Sequence, residues 1–234
     1  AHPQAMAIVT GPDKAEIAEF LGENGNRIRT YFLRQELRRQ ADFYRSFCNH
    51  EASDLAMQKF GIDIKIPSDY QLIQQDKDFI WCCNNSGPKR RDLLIYSYPY
   101  TDPNTFTTAY LCQKRDEVVK RIEGYAEGTY VGTEYKQFPP VMQSISVNQG
   151  GYCAELRGLW RLYGPGAMGG PFVQHSRLDE INQRVITVET MLYAPGQKKR
   201  NAYRQAEAIL YTLRLPQEIN ALQEISVSAT SSEE

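Results

Sequence analysis

The stretch GPGAMGG at residues 164–170 carries the G-x-G-x-x-G spacing of a dinucleotide loop through Gly164, Gly166 and Gly169. Glu189 then stands at the distance of a ribose-binding carboxylate. Such a loop works only if a helix N-terminus follows the last glycine and points its free N–H groups at the pyrophosphate. Here Gly170 is followed by Pro171, which has no N–H, and then by the strand-like Phe172 and Val173. A Walker loop fails at the same point, since Lys and a hydroxyl residue must follow its last glycine. The glycines and prolines are therefore read as a chain reversal, with glycine supplying backbone angles that other residues resist.

Other residues have types suited to chemistry. His175 has Cys153, Asp179 and Glu189 nearby along the chain, the ingredients of a hydrolase or transferase that uses a histidine base. His2, His50 and His175 lack metal-ligand spacing, and no H-E-x-x-H or G-x-S-x-G occurs. Five cysteines without a C-x-x-C pair read as buried thiols, with at least one unpaired; in FIWCC, strand alternation sends Cys82 and Cys83 to opposite faces. The segment QKKRN sets Lys198, Lys199 and Arg200 at the start of a helix, where the backbone already places about half a positive charge. That turn is a candidate site for sulfate, phosphate or carboxylate, unless the cations are solvated or pair with Glu189 or Asp179. Finally, Arg27, Arg29, Arg34, Arg38, Arg39 and Arg45 interleave with Tyr31, Phe32, Phe43 and Tyr44. RNA stacking is one use of such a mixture, but no RNP-like motif accompanies it, and aromatics at helical spacing face a core more often.

Positioning these residues requires several elements. AMAIVTGPD reads as a strand ending in a turn, with Thr10 and Asp13 as a capping pair for a short helix to about Leu21, stopped by GENG. From about 27 to 60, Leu33, Leu37, Ala41, Tyr44, Cys48 and Leu55 keep helical spacing, with a break near Asn49. GIDIKIP, DFIWCC and DLLIYSYPY then read as strands, and a helix covers about 105–122. GTEYKQFPPVMQ has the composition of a connection. GGYCAELRGLWRLY and RVITVETMLYAP follow as strands, and a helix covers about 198–214. A strand ending in aromatic and Pro, followed by a helix, occurs twice, which makes a weak internal repeat. The expected fold is α+β: an antiparallel sheet with helices packed on one face, made of two related strand-strand-helix units in the ferredoxin-like manner. The expected units are 1–137, containing the long helix at about 27–60, then 138–216, then a polar, loosely held tail at 217–234.

Composition excludes little beyond extremes. At 234 residues and 41% hydrophobic, the chain can bury roughly 70–75% of its unfolded surface. With 27 Lys and Arg against 28 Asp and Glu, net charge gives no pull toward nucleic acid. No apolar run approaches the roughly 18 residues of a membrane helix, and no secretory signal opens the chain. AHPQAMAIVTGPD lacks an initiator Met, so the natural N-terminus is expected upstream.

The combination of FGIDIKIPSDY, FIWCCNN, LLIYSYP, RGLWR, MGGPF and YAPGQKKRNAYRQAEAILYTL resembles a domain-of-unknown-function family of uncharacterised predicted lipoproteins from Bacteroidetes, over nearly the whole chain. Family members look longer at the N-terminus, beginning with a lipoprotein signal and a further α/β segment. The resemblance implies a cell-envelope location, held by an N-terminal lipid anchor absent from this chain and facing periplasm or cell surface. It carries over no activity, cofactor, metal or catalytic residue. The expected function is a non-enzymatic envelope binding or assembly module whose partner is an envelope protein, a glycan or a small anion, with no nucleic acid partner. Trp160, Arg161, Met168, Phe172 and His175 would line its site near the glycine loop, with Lys198, Lys199 and Arg200 receiving the anion. The alternative is the hydrolase or transferase built on His175.

Overall fold

A computed structural model describes residues 4–122, 127–148 and 150–230. Its helices are α1 (Lys14–Ser46), α2 (His50–Phe60), α3 (Thr108–Val119), α4 (Arg200–Leu210) and α5 (Pro216–Thr230). Its strands are β1 (Gln71–Asp76), β2 (Phe79–Asn84), β3 (Arg90–Pro99), β4 (Tyr130–Thr133), β5 (Val141–Val147), β6 (Gly151–Tyr163), β7 (Gly169–Asp179) and β8 (Arg184–Tyr193). They form one sheet in the order β1-β2-β3-β8-β7-β6-β4, and every pair is antiparallel. The long β6 is shared at its outer edge: its first half pairs with β5 and its last four residues with β4.

The α+β class and the antiparallel sheet stand as expected, but the helices do not share one face. On β3, Leu93 and Ile95 join the core under α1, α2 and α4, while Leu94 and Tyr96 join a second core under α3. β2 divides in the same way, with Ile80 and Cys82 on one side and Phe79 on the other. A strand that is apolar on both faces cannot leave either in water, so the sheet needs a cover on each side. The helices that follow β3 and β8 therefore depart to opposite faces, unlike two ferredoxin-like copies lying side by side. Strands from both expected segments interleave, because β3 pairs with β8 along its whole length.

Other boundaries also move. Residues 4–12 form no helix and pair with no strand among the described residues, and Met6 and Ile8 are largely exposed. Asp13 caps α1 by accepting from the N–H groups of Ala15 and Glu16 at 2.8 and 3.0 Å. The helix runs through GENG without a stop: isolated glycine weakens a helix without breaking it. The expected break near Asn49 is present, where Asn49 caps α2 through Ala52 N–H at 3.1 Å. GIDIKIP forms no sheet strand, yet Ile62, Ile64 and Ile66 are all buried, and Asp63 and Arg214 exchange backbone hydrogen bonds. The expected connection at 132–143 contains the end of β4 and the start of β5. The tail expected to be loose is helical in α5, with residues 231–234 outside the described residues.

Candidate cleft between α1, β5 and α5

A cleft of about 1230 Å³ lies where α1, the free end of β5, the C-terminal end of α4 and α5 meet. Its apolar lining includes Leu33 and Leu37 of α1, Ile145 and Val147 of β5, Tyr211 and Leu222. Its floor is a charged cluster on the α4 side of the sheet. Glu155 and Arg157 point to this face because they alternate with Ala154 and Leu156, which enter the core under α3.

Within the cluster, Arg157 donates to both oxygens of Glu155, Nε to Oε1 at 2.7 Å and Nη2 to Oε2 at 2.8 Å, and it also pairs with Glu207 of α4. Gln143 of β5 donates to Glu155 Oε1 at 2.5 Å, and His175 Nε2 lies 3.1 Å from Oε2. Burial alone would raise the Glu155 pKa, but His175 and Arg157 outweigh it and hold the carboxyl at about 2. Burial likewise works against the Arg157 charge, and Glu207 and Glu155 more than restore it. Glu155 is thus an occupied carboxylate, not a free base.

The walls differ from the floor in one respect. The acids lining the cleft are all paired: Asp42 with Arg45, Glu155 and Glu207 with Arg157, and Glu218 with Arg177. Arg34 and Arg38 on α1, and Arg214 after α4, line the same cleft with no carboxylate partner among the described residues. Gln217 of α5 also lines it; its Nε2 donates to Leu178 O at 2.9 Å, while its buried Oε1 has no hydrogen-bond donor among the described residues. The cleft therefore presents spare guanidinium donors, while the Gln217 acceptor is closed off from solvent.

The residues singled out near the glycine loop lie elsewhere. Gly164 and Gly166 take positive φ, 96° and 115°, in the reversal between β6 and β7. Gly170 packs so closely that a Cβ there would lie 1.9 Å from Leu192 O. Trp160 and Phe172 are core residues, with Trp160 Nε1 donating to Leu192 O at 3.2 Å, and Met168 packs against the same core. These apolar groups face inward because even-numbered positions of β6 and β7 point toward α3. Arg161 is exposed, 3.0 Å from Glu134. Lys198, Lys199 and Arg200 are exposed at the start of α4, and Lys199 makes no side-chain cap. Their suggested partners are engaged elsewhere, Asp179 with Arg184 at 2.9 Å and Glu189 with Arg115 at 2.6 Å.

The same geometry separates His175 from Asp179 and Glu189, the acids expected beside it, and gives it Glu155 instead. His175 is buried at 1% exposure, meets Glu155, and lies across the sheet from Glu189, which faces α3. Asp179 serves Arg184 and Asn182. Burial pushes the Cys153 thiol up to about 12 and leaves it protonated at neutral pH. No activated nucleophile faces the pair among the described residues.

Of the cleft's charged residues, Arg34, Arg38 and Arg45 stand out in the sequence, as do Leu33, Leu37 and Ala41 of its apolar wall. Glu155, Arg157 and Glu207 do not, although a carboxylate and a guanidinium two apart in GGYCAELRGLW are a readable signal, since one face of a buried strand then carries both charges. Arg214 and Gln217 carry no such signal.

A family model described as a domain of unknown function, DUF4837, matches residues 49–212. The chain belongs to this family. The matched residues contain the cleft floor, while α1 and α5 lie outside them. No curated protein matches the chain in sequence. Among solved structures, it is similar to the cyanobacterial PsbP protein CyanoP from Synechocystis sp. PCC 6803, at 7% identity and a TM-score of 0.44 over 72% of this chain and 90% of that one. It is also similar to the Saccharomyces cerevisiae Ran-binding protein Mog1p, at 9% identity and a TM-score of 0.38 over 66% and 90%.

Proposed function

We propose that the protein is a binding module without catalytic chemistry of its own, and that its cleft receives an acidic, hydroxyl-bearing ligand such as an acidic glycan. The observation that carries this reading is the set of spare guanidinium groups, Arg34, Arg38 and Arg214, around a cleft whose own acids are all paired. Guanidinium groups bind carboxylate and sulfate through paired N–H donors. The cleft exceeds the roughly 300–1,000 Å³ typical of a small-molecule pocket, which favours an extended ligand over a single small ion. A cell-envelope location with a lipid tether, as the motif resemblance implies, belongs to the same proposal; fractionation of cells that make the native protein tests it, and recovery with cytosolic proteins would rule it out.

Thermal-shift measurements with acidic oligosaccharides, neutral oligosaccharides and inorganic sulfate test the site. A ligand at 100 times its Kd stabilises the fold by about 2.7 kcal/mol, readily seen as a higher Tm. The acidic oligosaccharide shift is expected to vanish in Arg34→Glu/Arg38→Glu and to persist in Lys198→Glu/Lys199→Glu. The opposite result moves the anion site to the start of α4, and equal shifts with neutral sugars remove the role of charge.

A further inference from the structure

We infer that the ligand of the cleft is a chain of acidic sugars, and that it leaves the cleft along a line of guanidinium groups on α1 with Arg27 and Tyr31 as an outer subsite, which rests on the cleft being the anion site. At about 100° per residue, Arg34 and Arg38 project within about 40° of one another around α1, and Arg27 falls between them in the same projection. Thr30 is the first α1 residue to line the cleft, and Arg27 stands one turn before it. Arg27 is exposed; its Nη1 donates to Asn24 Oδ1 at 3.0 Å, and it has no carboxylate partner among the described residues. Arg29 and Arg39 are exposed as well, but they project about 160° and 120° away from this line. Tyr31, four residues after Arg27 and three before Arg34, neighbours both on the helix surface and is 45% exposed. Its ring offers an apolar face to a sugar while the flanking guanidinium groups take the carboxylates.

The spacing of the line sets the length of the occupant. With a rise of about 1.5 Å per residue, Arg34 and Arg38 are about 6 Å apart along the helix, and Arg27 and Arg34 about 10 Å. A single sulfate or a single acidic sugar cannot bridge the roughly 16 Å from Arg38 to Arg27, whereas a chain with a carboxylate on each residue meets all three. The line also has an end. Glu23 and Glu16 lie within about 40° of it on the N-terminal side of Arg27, and they meet an anion with like charge. A nucleic acid, charged at every nucleotide, would run on into those carboxylates, and three guanidinium groups in line neutralise little of it. A short acidic glycan stops before them.

Titration calorimetry with oligogalacturonates, from the disaccharide to the octasaccharide, tests this directly. Affinity is expected to climb with length. Arg27→Glu should weaken the octasaccharide about ten-fold and leave the disaccharide unchanged. Tyr31→Ala should weaken the octasaccharide about three-fold. Arg29→Glu, the same charge reversal on the far side of α1, should change neither, and all three variants should keep the native Tm because their side chains are exposed. Affinity that is flat with length, or equal losses in Arg27→Glu and Arg29→Glu, would overturn the outer subsite and leave the cleft standing. No binding at any length, or binding indifferent to Arg34→Glu/Arg38→Glu, would overturn the cleft as the anion site and the outer subsite with it. Single-stranded RNA bound more tightly than the octasaccharide and lost in Arg27→Glu would assign the line to nucleic acid and overturn the glycan.

Discussion

At the scale of single residues, the chain keeps two charged clusters on opposite faces of one sheet. Under α3, Arg115 is fully buried; it donates to Glu189 at 2.6–3.0 Å and to Thr133 Oγ1 at 2.7 Å, and its guanidinium stacks 3.8 Å from the Phe172 ring centre. Burial raises the Glu189 pKa against the pull of Arg115, so the carboxylate depends on that partner. Removing one member of such a pair strands the other, and Arg115→Met should destabilise the fold by about 3–5 kcal/mol in urea unfolding. Arg115→Met/Glu189→Leu should recover most of the loss. On the other face, Glu155 is depressed from its ordinary 4.5 to about 2. A depressed carboxyl contributes stability above its unfolded pKa and loses it as pH falls through the folded value. The stability gap between the native chain and Glu155→Gln should therefore be widest above pH 5 and narrow steadily toward pH 2.

At the scale of elements, glycines have opposite meanings in different places. Gly170 lets β7 pass against β8, and a Cβ would strike backbone oxygen, not a movable side chain. Gly170→Ala should cost about 1–3 kcal/mol by overpacking, read from the urea midpoint. Gly22 sits in an exposed helix with open space around it. Gly22→Ala should favour the helix by about 0.5–1 kcal/mol, seen as slower amide exchange in the first half of α1. Asn49 shows how short signals organise long segments: its side chain caps α2 and its Nδ2 donates to Tyr70 O at 2.9 Å.

At the scale of the whole molecule, the central pairing of β3 with β8 ties early and late parts of the chain together. Residues 1–137 made alone would expose the inner edge of β3 and lose Ile186, Val188 and Ile209 from the core they share. That fragment should lack the dispersed amide spectrum of a folded domain, whereas the full chain should unfold in one transition. The cleft follows from the same architecture. β5 stops short of the far half of β6, α1 passes over the sheet to reach α4, and α5 returns beside Arg177, so charged side chains from distant segments converge around one concavity.

Much of the class is legible in the chain. The alternation of RVITVETMLY, the break before Asn49 and the reversal at GPGAMGG each depend on neighbouring residues and elementary geometry, and each is present in the structure. The two-sided cover is also written in LLIY and FIWCC, which lack a polar face, although the order of strands and helices along the chain suggests a one-sided sheet. β1 and β5 are hidden because edge strands with exposed polar residues, QLIQQD and VMQSISV, carry little apolar alternation. The site depends on tertiary structure most of all. Whether a charge is spare or paired is decided by partners far away in sequence: Arg157 meets Glu207, and Arg177 meets Glu218, while Arg34 and Arg38 find no carboxylate among the described residues. Local sequence sets which face a residue occupies; only the packed fold decides what waits there.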